Sequence, residues 1–124
     1  MQAISYKVSL IGSSGSGKSR FLEKLLNIEI SYPTLGVNVY DYSLSLNNIK
    51  YRFTFWDCAG DSRYLGLGSE YIKDSDYVLL FGQDFSFKDW IPNNTPFKTI
   101  SNPDSIDLKE ILVELTTKIE NFTI

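Results

Sequence analysis

One stretch, Gly12-Ser13-Ser14-Gly15-Ser16-Gly17-Lys18-Ser19, constrains the fold of this chain more than any other. It fits G-x-x-x-x-G-K-[ST], the pattern of a phosphate-binding loop. Gly12, Gly15 and Gly17 reach backbone dihedrals that a Cβ forbids, so the successive N–H groups from Ser14 through Gly17 can curl around an anion. Lys18 brings a positive charge to the β- and γ-phosphates, and the Ser19 hydroxyl is a candidate Mg²⁺ ligand.

The flanks suit such a loop. Residues 4–11 carry apolar Tyr6, Val8, Leu10 and Ile11, which predicts a buried strand. Phe21, Leu22, Leu25 and Leu26 then fall on one stripe of a helix. A strand, a glycine loop and a helix N-terminus form the arrangement that holds phosphate. The competing reading, a Gly/Ser linker between two elements, leaves the fixed positions unexplained.

Composition narrows the partners. A chain of 124 residues suffices for one domain, taken here as residues 1–124. The net charge of −3 argues against a nucleic-acid backbone as partner. No apolar run reaches transmembrane length. Gln2 is incompatible with myristoylation, and the ending Asn121-Phe122-Thr123-Ile124 offers no prenylatable cysteine, so no lipid anchor and a cytoplasmic or nuclear location are expected. Cys58 is the only cysteine and there is no histidine, which excludes an internal disulfide and His-based chemistry.

Further along, Pro33 closes a polar loop. Tyr40, Tyr42, Leu44 and Leu46 alternate with Asp41, Ser43 and Ser45; Asn47-Asn48 is a turn signal; Ile49, Tyr51, Phe53 and Phe55 alternate with Lys50, Arg52 and Thr54. The pattern predicts an antiparallel hairpin. Its second strand runs into Trp56-Asp57-Cys58-Ala59-Gly60. An Asp at the carboxyl end of a strand beside a phosphate loop is placed to hold Mg²⁺, and Gly60 can bring its N–H to a γ-phosphate. Residues 61–68 are polar and glycine-punctuated; a short helix is expected over 70–73. Residues 77–81 form an apolar run suited to a strand buried on both faces. One or two helical turns over 85–90 and a short strand over 97–100 follow. The last helix is expected to be capped by Asp104 or Ser105, with Leu108, Ile111, Leu112, Leu115, Ile119 and Phe122 docking on the sheet.

Taken as a series, these motifs resemble the small GTPases of the Ras superfamily, nearest the Rab and Ran branches. Tyr32-Pro33-Thr34-Leu35-Gly36-Val37 resembles switch I, with Thr34 at the residue that senses Mg²⁺ and γ-phosphate. Trp56-Asp57-Cys58-Ala59-Gly60-Asp61-Ser62-Arg63-Tyr64 resembles the W-D-T-A-G-Q-E-R-F of switch II. The resemblance is specific over about residues 5–85 and loose over 97–122. It implies GTP or GDP with Mg²⁺ as cofactors, Ser19, Thr34 and Asp57 around the metal, Ser14 through Ser19, Thr34 and Gly60 around the nucleotide, and Gly60 and Asp61 at the hydrolytic position. It also implies protein effectors or regulators that contact residues 31–40 and 60–73.

Four departures qualify the likeness. The chain is shorter than a family domain and has no Asn-Lys-x-Asp motif to read guanine. Residues 84–97 leave no room for the missing helix and strand, so an internal deletion of one strand–helix unit is expected, with the region from Pro96 aligned on the family's last strand and helix. The guanine-reading Asp accepts two hydrogen bonds, each contributing about 1.5–3 kcal/mol. Losing both costs roughly two to four decades of affinity. Second, Asp61 stands where the family has the Gln that orients water; its charge opposes the γ-phosphate, which implies slow or absent hydrolysis. Third, residues 18–34 are short, and the aromatic beneath the base has no counterpart beyond Ile30. Fourth, the missing anchor resembles Ran rather than Rab.

Three functions compete: a slow or impaired nucleotide-dependent switch; a pseudo-GTPase that mimics Rab or Ran surfaces and competes for their regulators or effectors; and a different P-loop kinase or ATPase. The expected fold is a three-layer α/β P-loop NTPase, a minimal Ras-like G domain with a mostly parallel five-stranded sheet in the order 2-3-1-4-last. The missing unit would uncover a sheet edge, which makes a homodimer an expected consequence.

Overall fold

The computed structural model describes residues 2–13, 15–30, 37–58, 68–82, 85–102, 104 and 107–122. Its strands are β1 (Gln2–Gly12), β2 (Val37–Leu46), β3 (Ile49–Cys58), β4 (Tyr77–Phe81) and β5 (Phe97–Ile100). Its helices are α1 (Lys18–Leu26), α2 (Gly68–Ile72) and α3 (Leu108–Phe122), with a 3₁₀ turn at Phe85–Trp90. The sheet order is β2-β3-β1-β4-β5. β1 runs parallel to β3 and β4, β4 parallel to β5, and only the β2–β3 pair is antiparallel. The expected fold class and strand order therefore hold.

Local chemistry explains the elements. Asn47 and Asn48 take φ of 52° and 65°, the paired positive angles of a tight hairpin turn that asparagine tolerates. β4 is buried at every position because helical layers lie on both its sides. α1 begins at Gly17, whose φ of 106° turns the loop into the helix, and ends at Asn27 in the left-handed region.

Two apolar clusters lie on opposite faces of the sheet. One joins Val8, Leu10, Tyr51, Phe53, Phe55, Leu79 and Phe81 to Phe21 and Leu22 of α1 and Ile111, Leu112, Leu115 and Ile119 of α3. An aromatic row runs through it, with Tyr6–Tyr51 centroids 6.1 Å apart, Phe53–Phe55 also 6.1 Å apart and Phe21–Phe81 at 5.5 Å. The other cluster joins Ile11, Cys58, Val78 and Leu80 to Ile72 of α2 and Phe87 of the 3₁₀ turn. Three layers follow.

The cap of α3 differs from expectation. Asp107, not Asp104 or Ser105, is the cap: its Oδ1 accepts from the N–H of Lys109 and of Glu110, both at 3.1 Å. Asp107 directly precedes Leu108, the first residue of the apolar stripe, so the helix starts there. Asp104 instead meets Arg20 Nε and Lys24 Nζ of α1, each at 2.8 Å, and Ser105 lies outside the described residues. Asp107→Ala should cost about 1 kcal/mol in urea unfolding. Asp104→Ala should cost less, because its ion pairs are exposed; equal losses would contradict the cap assignment.

Candidate functional site

The carboxyl ends of β1, β3 and β4 converge on the glycine loop. β1 ends at Gly12, with φ of 146°. A Cβ there would sit 2.5 Å from the carbonyl oxygen of Phe81 and 2.9 Å from Ser16 Oγ, so the loop leaves the sheet where only glycine fits. Gly15, with φ of 79°, has nothing within 4 Å of a built Cβ; its requirement is conformational rather than steric. Ser16 N–H donates to the Ser13 carbonyl at 3.1 Å, which closes the loop, and Phe21 N–H reaches the Gly17 carbonyl at 3.0 Å as α1 begins. The backbone N–H groups of Lys18 and Ser19 stand in the first turn of α1, where helix N–H groups have no intrahelical acceptor.

Lys18 is 6% exposed. Its Nζ donates to Gly12 O at 2.7 Å and to Ser13 O at 3.1 Å, so the ammonium spans the loop. Burial lowers its pKa, and the negative charge of Asp57 pulls it back up. Asp57 is fully buried at the end of β3, in register with Leu10 of β1 and Asn38 of β2. The neighbouring Cys58 thiol is pushed up to about 12, by burial first and then by Asp57. It stays neutral and leaves Asp57 as the local anion.

This donor set fits a magnesium-bound phosphate chain. Glycines hold backbone dihedrals that a side chain would fill, a buried ammonium lies across the loop, and a buried carboxylate stands on the adjoining strand. The structure brings Gly15, Ser16, Gly17, Lys18, Ser19 and Asp57 together at one end of the sheet. Ser14, Thr34, Gly60 and Asp61, also expected at the site, lie outside the described residues.

Some contributors were not read from the sequence. Gly82, at φ of 85°, passes 3.2 Å from Ser16 Cβ, measured from where its own Cβ would be, and its N–H donates to Ile100 O at 2.9 Å. A glycine directly after the apolar run 77–81 was the available signal. Lys7 Nζ lies 3.9 Å from the Trp56 ring centroid and donates to Lys73 O at 2.7 Å, tying the end of α2 to the strand that carries Asp57. Ser9 Oγ and Ser75 Oγ are 2.6 Å apart, and Lys7 N–H donates to Asp76 Oδ2 at 2.8 Å. Alternation alone places these polar groups on a strand but does not pair them.

Two measurements test this packing. Ser16 Oγ is buried and has no hydrogen-bond partner among the described residues. Ser16→Ala should therefore raise stability by about 1 kcal/mol in chemical unfolding, since it removes an unsatisfied hydroxyl. Cys58 gives a pH signature. Its folded pKa, about 12, lies above the ordinary 9.0, so its contribution is complete below pH 9 and is lost as the pH climbs towards 12. Cys58→Ala should flatten the alkaline slope of stability; an unchanged slope would place that loss elsewhere.

A family model described as "Ras of Complex, Roc, domain of DAPkinase" matches residues 7–106. Among curated relatives, the chain is 34% identical over 79 residues to the Ras-related protein RABC2a of Arabidopsis thaliana, covering 62% of this chain and 38% of that protein. It is 38% identical over 79 residues to the Ras-related protein YPT3 of Nicotiana plumbaginifolia, covering 60% of this chain and 36% of the relative. It is 40% identical over 79 residues to the GTP-binding protein ypt3 of Schizosaccharomyces pombe, with the same coverage of 60% and 36%. The match thus spans less than two-fifths of each relative's length. With the phosphate loop, the acidic strand end and the sheet order already in place, the chain belongs to the Ras superfamily of small GTPases, within the reach of the Ras of Complex domain model.

Proposed function

We propose that this chain binds guanine nucleotide mainly through its phosphates and works as a slow or impaired nucleotide-dependent switch. The observation that carries the reading is the buried Lys18 ammonium spanning the glycine loop with Asp57 beside it. Gly15, Ser16, Gly17, Lys18 and Ser19 would hold the phosphates, joined by Ser14, Thr34 and Gly60. Ser19, Asp57 and Thr34 would hold Mg²⁺, which when bound neutralises phosphate charge. The protein's own part is positional: the loop orients the phosphates, and β3 presents Asp57 from a buried, low-dielectric end. Asp61 in place of a neutral Gln supports slow hydrolysis, because an anionic side chain opposes the γ-phosphate and orients water poorly.

The partner surface we assign to residues 31–40 and 60–73. Supporting it, Val39 is 50% exposed and stands in register with Trp56. Val37, Trp56 and Tyr71 pack partly buried on one cluster, so Val37 and Tyr71 bring the two segments to one side of the sheet, while Tyr40 faces the other side. The same surface supports the second reading, a mimic that occupies Rab or Ran regulators without turning over nucleotide. Among the described residues no helix is long and apolar enough to cross a membrane.

Titration calorimetry with GTP, GDP and ATP tests the proposal. GTP and ATP should bind within about tenfold of each other, because the phosphate end dominates. Lys18→Ala should weaken both by at least about a hundredfold. A guanine preference of several decades would overturn the weakened base selectivity, and binding unchanged by Lys18→Ala would overturn the site. Binding without phosphate release over hours supports the switch; no binding leaves the mimic.

A further inference from the structure

β2 is an outer strand over its whole length. It pairs with β3 from Val37↔Cys58 to Leu46↔Ile49 in one unbroken register, so it has no bulge. It contains no Pro, Lys or Arg. Bulges, prolines and lysines are the devices that keep an edge strand from pairing with another chain, and β2 has none of them. Its single charge, Asp41, is exposed on one face of the hairpin and accepts a hydrogen bond from its cross-strand neighbour Thr54 Oγ1 at 3.2 Å.

The hairpin decides which backbone groups face outward. A two-residue turn makes Leu46 and Ile49 the hydrogen-bonded pair that closes it. Alternation then aims the N–H and C=O groups of Asn38, Tyr40, Tyr42 and Leu44 at β3. Those of Val39, Asp41, Ser43 and Ser45 point away from the sheet. On the face shared with α1 and α3, Tyr40, Tyr42, Leu44 and Leu46 are only half-buried against the core.

We propose that β2 pairs antiparallel with β2 of a second copy, about a two-fold axis at Tyr42, so that two five-stranded sheets become one. In this register residues 38–46 of the two copies overlap, a contact roughly 30 Å long. Tyr42 faces Tyr42, Tyr40 faces Leu44, and the half-covered apolar row continues across the joint. Asp41 faces the small, neutral Ser43. A register centred on Asp41 would set two carboxylates opposite each other, and one centred on Ser43 would shorten the overlap. The strand is thus complementary to itself, which is what a two-fold interface needs. The opposite edge, β5, offers only Phe97–Ile100, and its Lys98 is already engaged by Glu114 at 3.0 Å.

Sedimentation equilibrium on the 124-residue chain tests the pairing, with circular dichroism confirming that each variant folds. Ser43 is exposed and stands directly opposite Arg52 of β3, so an Asp there gains a cross-strand partner within one copy while a Lys meets a like charge, and circular dichroism must show that the Lys variant still folds. Ser43→Asp sets two pairs of carboxylates against each other across the axis, and the dimer dissociation constant should rise at least about tenfold. Ser43→Lys sets an ammonium opposite Asp41, and the dimer should hold or tighten. A chain that stays monomeric up to about 1 mM, whatever else binds this edge, overturns the proposal. So does a dimer that Ser43→Asp leaves untouched.

Discussion

The close approach of β1 and β4 at their carboxyl ends is the constraint on which the site depends. Gly12 passes the Phe81 carbonyl where no Cβ fits, and Gly82 passes Ser16 in the same confined space. The two strands meet that tightly because both are sandwiched between layers. Leu10, Leu79 and Phe81 lock one face, and Ile11, Val78 and Leu80 the other. The loop leaves the sheet from this rigid point, so its N–H groups are aimed by packing rather than by the ligand. Electrostatics then complete the site. A buried ammonium is costly alone, and Asp57 on the neighbouring strand offsets that cost.

The two faces of the sheet have different characters. The α1–α3 face carries the aromatic row and four buried side chains of α3, so it is the mechanical support of the phosphate loop. The opposite face is covered by a short α2 and a 3₁₀ turn in which Phe87 and Trp90 stack edge to face at 4.8 Å. Thin cover leaves Phe97 38% exposed, with Lys88 Nζ 5.4 Å above its ring. On this face Lys7 joins Trp56 to the carbonyl of Lys73, the residue directly after α2. The thinner layer is therefore coupled directly to β3, the strand that carries Asp57.

Sequence patterning carried the architecture because the strong signals were long-range repeats of simple chemistry. Alternation over residues 40–55 led to the hairpin, the unbroken apolar run led to β4 at the sheet interior, and the glycine–lysine spacing led to the loop. What remained illegible depended on which of several similar groups wins a partner. Asp104 and Asp107 both suit a cap by type. The choice was made by the cations of α1 on Asp104 and by the position of Leu108. Gly82 looks like an ordinary strand terminator until Ser16 is seen against it. Tyr77, fully buried at the start of β4, reads as core, yet its hydroxyl has no hydrogen-bond partner among the described residues. Burial raises its pKa to about 12, with the Glu114 charge adding to that.

The inner and outer strands of the sheet carry different shares of the core. The grip is built from β1, β3 and β4, the inner strands, whose side chains make up most of both clusters. Loss of any of these would open the core, and at several kcal/mol per large buried side chain such a chain would not fold. β5 is different: of its four residues only Ile100 is buried. β5 thus contributes little apolar contact beside the inner strands. The phosphate loop is therefore anchored by the packing of the inner strands, and little of that packing passes through β5.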